Sequence, residues 1–494
     1  MKFETPPRER ITILAWPGLD LSLLLSPGTE MGRARRADTD VATLDSADRC
    51  LARAGIVVSR RDDHWVVETV GYGSAQVGGP MVDGDLLDGE LLRTVAAVSR
   101  GRSLTYTVRE RRRGRVFPLL SALNADPSAD SAPREVGFLR DEDVSVVDGR
   151  RVVSRHRRLT IEAEAWVVDW IHLRLQGLGM ASQEVVGPLS PVTLGPPDPM
   201  PWPLTRTPNT PTVLQRGLAS AVGELLRHDP VVRLDLHVEG VHRMRVSVRA
   251  IRSLVRTYRA LFDGVPASLG NDLRWISQLL GQVRDLDVLA QSLEQVRKQL
   301  GPYERDMSQF LLEEVAGERQ QRLTDLRSAM STKRYAALID RLVALSESPS
   351  FTDDAGRSPA RALVPIARRA YRRLGKCAKT AAGDHASVDA VHAVRLSAKR
   401  YRYVLDTVAE VIPAAAAQAK LLSQLQQVLG RFNDAANAEE WLTKRAEFES
   451  DPGRAFVLGG LVVELRRRRD RHRSRWLQAW ARVKSPPHTA WLEG

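Results

Sequence analysis

The chain has 494 residues, of which 43% are hydrophobic and 27% charged, enough to bury more than one apolar core and unlike the composition of a disordered chain. Its 73 Lys and Arg against 60 Asp and Glu leave a formal net charge of +13, which favours polyanionic partners such as nucleic acid, polyphosphate or an anionic membrane surface. The two cysteines, Cys50 and Cys377, lack metal-type spacing and exclude a disulfide framework, and the chain contains no run of about 18 apolar residues and no apolar leader, so a cytoplasmic protein without membrane insertion is expected.

In chain order, short β-branched runs come first, at 10–14, 56–59, 65–70, 104–108, 144–147 and 159–165, punctuated by Gly, Asp and Pro. They predict an antiparallel β barrel, tunnel or sandwich, with helices near 45–54, 86–99 and 166–178 and long loops at 71–84 and 125–133. The Pro-rich run from Gly195 to Pro211 cannot be helix or central strand and predicts a stiff linker, so the first domain is placed at 1–194 and the linker at 195–211.

After the linker, strand signals give way to helical periodicity at 213–227, 237–262, 269–281, 286–300, 303–330 and 333–345. Asp229-Pro230 is expected to stop the first of these. A Ser/Pro/Asp/Gly-rich stretch, 346–359, then precedes helices at 362–380, 386–411, 415–430, 435–448 and 456–483. The expected fold class is therefore α+β multidomain, the second domain (212–484, halves 212–345 and 360–484) being all-α and followed by a tail at 485–494.

The second domain repeats itself. Val241-His242-Arg243-Met244-Arg245-Val246-Ser247-Val248-Arg249 returns as Val391-His392-Ala393-Val394-Arg395-Leu396-Ser397-Ala398-Lys399. At about 3.6 residues per turn, His242, Arg245, Arg249, Arg252 and Arg256 share one helix face, as do His392, Arg395, Lys399 and Arg402. Neither 241–259 nor 391–405 contains an acidic residue to relieve the repulsion, so each stripe wants an anion. Met244, Val248, Ile251 and Val255, like Val394, Ala398, Tyr401 and Leu405, mark an adjoining core face. Two such bundles packed pseudo-symmetrically would bring the stripes together. Leu280-Gly281-Gln282-Val283-Arg284-Asp285 and Leu429-Gly430-Arg431-Phe432-Asn433-Asp434 are expected to end a hairpin in each half, with Asp285, Asp287 and Asp434 as helix caps or arginine-orienting carboxylates.

The duplicated His-x-x-Arg-x-x-x-(Arg/Lys) pattern, with Leu-Gly-x-x-Arg-Asp-Leu-Asp after its first copy, resembles the CHAD family of conserved-histidine α-helical domains over about 213–483. The resemblance implies binding of inorganic polyphosphate in a basic groove between two helical bundles. By position it implicates His242, Arg245, Arg249 and Arg252, then His392, Arg395, Lys399 and Arg402. Arg256, Arg274, Arg284, Arg368 and Arg372 are further candidates, and polyphosphate granules are a corresponding location.

Residues 1 to about 200 resemble a degenerate CYTH domain, a β tunnel of the triphosphate-metalloenzyme type, with 43–56 similar to the stretch leading into that family's second strand. The family's Glu-x-Glu-x-Lys reads here as Glu9-Arg10-Ile11-Thr12-Ile13. Alternate residues share a strand face, and isoleucine can neither hold a cation nor meet a phosphate. Glu68 stands where a basic residue is expected. Inward-facing chemistry is sought in Arg60, Arg109 and Arg111 and in Glu162 and Glu164. This implies a pseudoenzyme with no catalytic residues and no cofactor. Mg or Mn would matter only if the domain is active, with Glu9, Glu162 and Glu164 as ligands. The alternatives are a metal-dependent triphosphatase acting on tripolyphosphate or an organic triphosphate, and a nucleic-acid-binding protein.

Overall fold

The structure is a computed structural model that describes residues 8–61, 64–78, 89–121, 133–148, 150–178, 208–383 and 387–493. Packing divides the chain into two compact units, Met1–Asp198 and Pro199–Gly494.

The first unit contains β1 (Arg8–Ala15), β2 (Thr29–Met31), β3 (Arg35–Arg36), β4 (Thr39–Asp45), α1 (Cys50–Arg53), β5 (Ile56–Arg61), β6 (His64–Thr69), β7 (Gly73–Val77), α2 (Gly89–Ser99), β8 (Thr105–Ser121), β9 (Arg134–Asp148), β10 (Arg151–Glu164) and α3 (Ala165–Gly177). All pairings are antiparallel, in the order β1-β10-β9-β8-β4-β5-β6-β7 with β2 and β3 also on β8, and the sheet curls into a half-barrel. Among the described residues its two outer strands do not meet, so the expected barrel is open. Residues 73–77, expected in a loop, pair with β6. The remaining loop residues 79–84 and 125–132 lie outside the described set, as does the linker from 195 to 207.

Period-two alternation sorts this sheet into two faces. Ile11, Ile13, Leu139, Leu159, Ile161 and Ala163 form a core with Val167, Val168, Ile171 and Leu175 of α3. The register places Arg10 opposite Glu162, Thr12 opposite Thr160 and Glu142 opposite Arg158 on the other face. Glu110 and Arg112 of β8 belong to that charged face too, through their pairing with Val146 and Val144.

The second unit contains α4 (Thr210–Leu234), α5 (Val238–Thr257), β11 (Phe262–Asp263), α6 (Ala267–Arg297), α7 (Pro302–Met307), α8 (Gln309–Met330), α9 (Lys333–Glu347), β12 (Ser350–Phe351), α10 (Pro359–Thr380), α11 (Val388–Val408), α12 (Ala414–Ala446), α13 (Pro452–Val483) and α14 (Pro486–Thr489). Asn209 caps α4, its Oδ1 accepting from the Thr212 amide at 2.9 Å, so Thr210 and Pro211 are helix rather than linker.

Three breaks expected from the sequence are bridged. Pro230 lies inside α4, where buried Asp229 accepts from Arg233 Nε and from Tyr335 Oη, both at 2.6 Å, and this packing outweighs the missing backbone bond. Gly281 lies inside α6 and Gly430 inside α12. A mid-helix glycine costs about 1 kcal/mol, less than the contribution of burying the neighbouring Leu280, Val283, Leu429 and Phe432 at about 1.5–3 kcal/mol per large side chain. Each motif expected to end a hairpin therefore lies inside one helix of more than 30 residues. Beyond α13, Leu492 is buried and Trp491 Nε1 donates to Gln418 Oε1 at 3.2 Å.

Candidate functional site

The basic stripes ride on helices fixed by their apolar faces. In α5, Val241, Met244, Val248, Ile251 and Val255 are buried; in α11, Val391, Val394, Ala398, Tyr401 and Leu405 are. Gly240 lets α5 begin against α4, since a Cβ there would lie 2.6 Å from Val231 Cγ1. Ser387 caps α11, accepting from the Ala390 amide at 3.1 Å. α5 packs on α6 and α11 on α12, while α5 also meets α11 and α6 meets α12.

The four helices, together with Glu318 and Arg322 of α8, line a cleft of about 800 Å³ that holds both histidines, His242 and His392, and Arg245, Arg249, Arg395, Lys399 and Arg402 from the stripes. Because α6 and α12 run through their glycines, Arg284 and Asp285 on one, and Asn433 and Asp434 on the other, sit mid-helix and line the same cleft. Asp285, Asp287 and Asp434 are thus not caps. They are arginine partners, with Arg245 to Asp285 at 2.8 Å, Arg319 to Asp287 at 2.7 Å and Arg395 to Asp434 at 3.8 Å.

The stripe segments 241–259 and 391–405 are free of acid, but Arg402 meets Asp406 one turn further along α11, and Arg245 and Arg395 meet Asp285 and Asp434 across the cleft. Its lining holds seven Arg and Lys side chains and four carboxylates, Asp285, Glu318, Asp406 and Asp434. Arg402 bonds to Asp406 at 2.8 Å and Arg322 lies 3.5 Å from Glu318. Among the described residues, Arg249 and Lys399 have no carboxylate within ion-pair distance. Lys399 shows the resulting excess: burial, then Arg249, Arg395 and Arg245, push its ammonium down to about 7. Burial also lowers Arg395, and it raises Asp434 despite Arg395 and Lys399 nearby.

The two histidines differ. His242 is held below its ordinary value by burial and then by Arg284. His392 Nδ1 donates to Asn433 Oδ1 at 2.6 Å, which leaves Nε2 unprotonated in the neutral ring. A neutral His392 therefore cannot donate to an anion through Nε2; it must first gain a proton. Asn433 corresponds in the repeat to Arg284, so one histidine is held by an amide and the other faces a guanidinium.

Five sequence candidates lie outside the cleft lining. Arg252, lowered by burial and then by Arg274, and Arg256, lowered by burial and then by Arg252 and Arg373, belong with Arg274, Arg373 and Arg400 to a neighbouring basic ridge. Arg368 is occupied, its Nε donating to the Leu492 carbonyl at 2.6 Å, and Arg372 is exposed. Sequence reasoning missed Arg322, Tyr403, Asn433 and Trp441 in the lining. Only Asn433 carried a signal, its place in the repeated hairpin motif.

The first unit corrects the strand face assumed for Glu9, Arg109 and Arg111, while Glu162 and Glu164 lie on the charged face as expected. Glu9 shares the face of Ile11 and Ile13, whose side is the α3 core, and is itself exposed. Arg109 and Arg111 are exposed on the face away from buried Glu110 and Arg112. Arg60 bonds to Tyr106 Oη at 3.5 Å, and Arg109 lies over the same ring. Glu164 pairs with Arg134 at 2.7 Å and accepts from Trp166 at 3.0 Å, while Glu162 stands opposite Arg10 in the register. Glu68 pairs with Arg61 at 3.3 Å. Among the described residues no group of three His, Cys, Asp or Glu side chains is placed to hold a metal ion, and no helix is long and apolar enough to cross a membrane.

Residues 216–443 match the model of the CHAD domain family, and this part of the chain is a CHAD domain. Two uncharacterised proteins of Mycobacterium tuberculosis, from strains CDC 1551 and H37Rv, are each 33% identical over 273 residues, covering 51% of this chain and 49% of theirs. The chain thus spans about half the length of the curated relatives it matches. Among solved structures it is similar to PptA from Streptomyces chartreusis, with 22% identity, a TM-score of 0.47 and coverage of 56% of this chain and all of that one. It is similar also to the CHAD domain from the plant Ricinus communis, at 23% identity and a TM-score of 0.44, covering 59% of this chain and 94% of that one.

Proposed function

We propose that this CHAD domain binds inorganic polyphosphate in the cleft between α5, α6, α11 and α12, and that the N-terminal unit is not a triphosphatase. The observation that carries the reading is the cationic excess of the cleft, concentrated on Arg249 and Lys399, which lack carboxylate partners among the described residues. A linear polyanion with about one charge per phosphate relieves that excess along its length and releases counterions as it binds. Arg245 can exchange its contact with exposed Asp285 for a phosphate oxygen at little cost, because exposed ion pairs are worth only about 0–1 kcal/mol. The ridge of Arg252, Arg256, Arg274, Arg373 and Arg400 offers further anion contacts to a chain too long for the cleft, so affinity rises with chain length and falls steeply with salt.

For the N-terminal unit, Glu9 falls on the α3 side of its strand, Glu164 is paired with Arg134 and Glu162 stands opposite Arg10, and the buried arginines are already held by carboxylates.

The test is a titration of long-chain polyphosphate against a quadruple variant, Arg245→Gln, Arg249→Gln, Arg395→Gln and Lys399→Met. Losing four charge-assisted contacts should weaken binding by on the order of 100-fold or more without unfolding the bundle. A folded variant with an unchanged curve sinks the assignment. Competition among long polyphosphate, tripolyphosphate and duplex DNA at fixed salt decides the partner: preference for DNA would move the reading to nucleic acid.

A further inference from the structure

A second basic pocket opens between α6 and α13, about 390 Å³ in volume and lined by Gln295, Gln299, Arg468, Arg471, His472 and Arg475. It shares no lining residue with the cleft. Burial lowers the proton affinity of His472, and Arg431, Arg475, Arg471 and Arg468 lower it further. The buried Nδ1 of that ring has no hydrogen-bond partner among the described residues. Among the described residues one carboxylate, Glu464, serves the cluster, lying 3.2 Å from Arg468 Nε and 3.1 Å from Arg471 Nη2.

Helix packing accounts for only part of this arrangement. Arg468 ties the two helices together by donating to the Gln295 carbonyl at 3.1 Å. Arg475 has no ion pair among the described residues, and Arg468, Arg471 and Arg475 repel one another along a single helix face. An unpartnered imidazole nitrogen among four guanidinium groups, in a pocket with two side-chain amides, is an environment that an oxyanion satisfies on every side. The chemistry is that of phosphate recognition: forked donors for the oxygens, a titratable ring that takes a proton as the anion arrives, and amides at the margin.

We infer that this pocket is a second anion site, selective for a compact phosphoryl dianion such as a free mono- or diphosphate or the terminal phosphoryl group of a longer chain. It is too small to enclose an extended polymer, and its occupancy does not depend on the reading of the larger cleft.

The experiment uses the full chain with Arg249→Gln and Lys399→Met, which weaken the cleft, and compares it with the same chain carrying Arg471→Gln and Arg475→Gln as well. Inorganic pyrophosphate is titrated by calorimetry, and the His472 ring is followed by nitrogen-15 NMR. The expected result is pyrophosphate binding in the first protein, weakened by about tenfold or more in the second, with the His472 pKa rising on addition of ligand. Equal pyrophosphate binding in both proteins overturns the site. Where pyrophosphate is silent, a parallel titration with long-chain polyphosphate separates the sources: a His472 response to the polymer alone assigns the pocket to chain ends, and a response to neither probe overturns it. Cleft variants that leave polymer binding unchanged while His472 still responds to pyrophosphate would sink the cleft reading and leave this one standing.

Discussion

The charged face of the N-terminal sheet and the cleft of the helical unit are built from the same residue types and differ in where their carboxylates sit. In the sheet, Glu110 is fully buried and holds both Arg112, at 2.7 Å, and Arg158, at 3.3 Å, while Glu142 stands 3.6 Å from Arg140. In the cleft, Asp285 and Asp406 are exposed, with side-chain exposure of 67% and 46%, Asp434 is half-buried, and Arg249 and Lys399 have no such partner among the described residues. An arginine is available to a ligand only where its own carboxylate is easily displaced. Breaking a buried pair costs several kcal/mol, whereas an exposed pair contributes about 0–1 kcal/mol.

The comparison breaks most readily at Glu110. Replacing it with Gln should cost the N-terminal unit about 3–5 kcal/mol, because two buried guanidinium groups lose their counter-charge. Denaturant unfolding followed by a probe in that unit measures this, and a loss under about 1 kcal/mol would mean that its charges are as available as those of the cleft.

A smaller effect is expected at Lys399. Its pKa is about 7 in the folded chain against 10.5 for an ordinary lysine, so between those values the unfolded state binds more protons and stability rises with pH. Polyanion binding has the opposite dependence. Affinity should be highest below pH 7 and fall as the pH rises through 7, with proton uptake that calorimetry in two buffers of different ionisation enthalpy detects. His242 and Asp434 titrate nearby, and Lys399→Met isolates the lysine: it should lower affinity about tenfold at pH 6 and flatten the dependence above pH 7. Wild-type affinity that is flat from pH 6 to 9 would remove Lys399 from the ligand's path.

The smallest effect sharpens the comparison. Asp285→Asn frees Arg245 and should raise polyphosphate affinity by a few-fold, in keeping with an exposed pair worth up to about 1 kcal/mol. A loss of affinity would show that Asp285 orients Arg245 rather than competing with the anion for it.

The parts legible in the sequence are those governed by local period. Helical spacing in α5 and α11 separates apolar from basic positions, and the repeat announces that the two helices are counterparts. Breaker residues misled, because Pro230, Gly281 and Gly430 have local costs that neighbouring buried side chains outweigh. The β1 and β8 candidates misled for another reason: a one-residue error in strand register exchanges the faces, which moved Glu9 to the α3 side and substituted Arg109 and Arg111 for Glu110 and Arg112.

The sequence by itself determined the class of each half, the duplicated basic helices and the excess positive charge, because these follow from residue spacing and formal charge. Tertiary structure alone decided which stripe residues share a cleft, that Asp285 and Asp434 partly neutralise it, and that Asn433 sets the proton on His392. Those outcomes depend on distances across helices far apart in the chain. Coulombic and hydrogen-bond energies act over a few ångströms and through the local dielectric, neither of which a pattern along one helix contains.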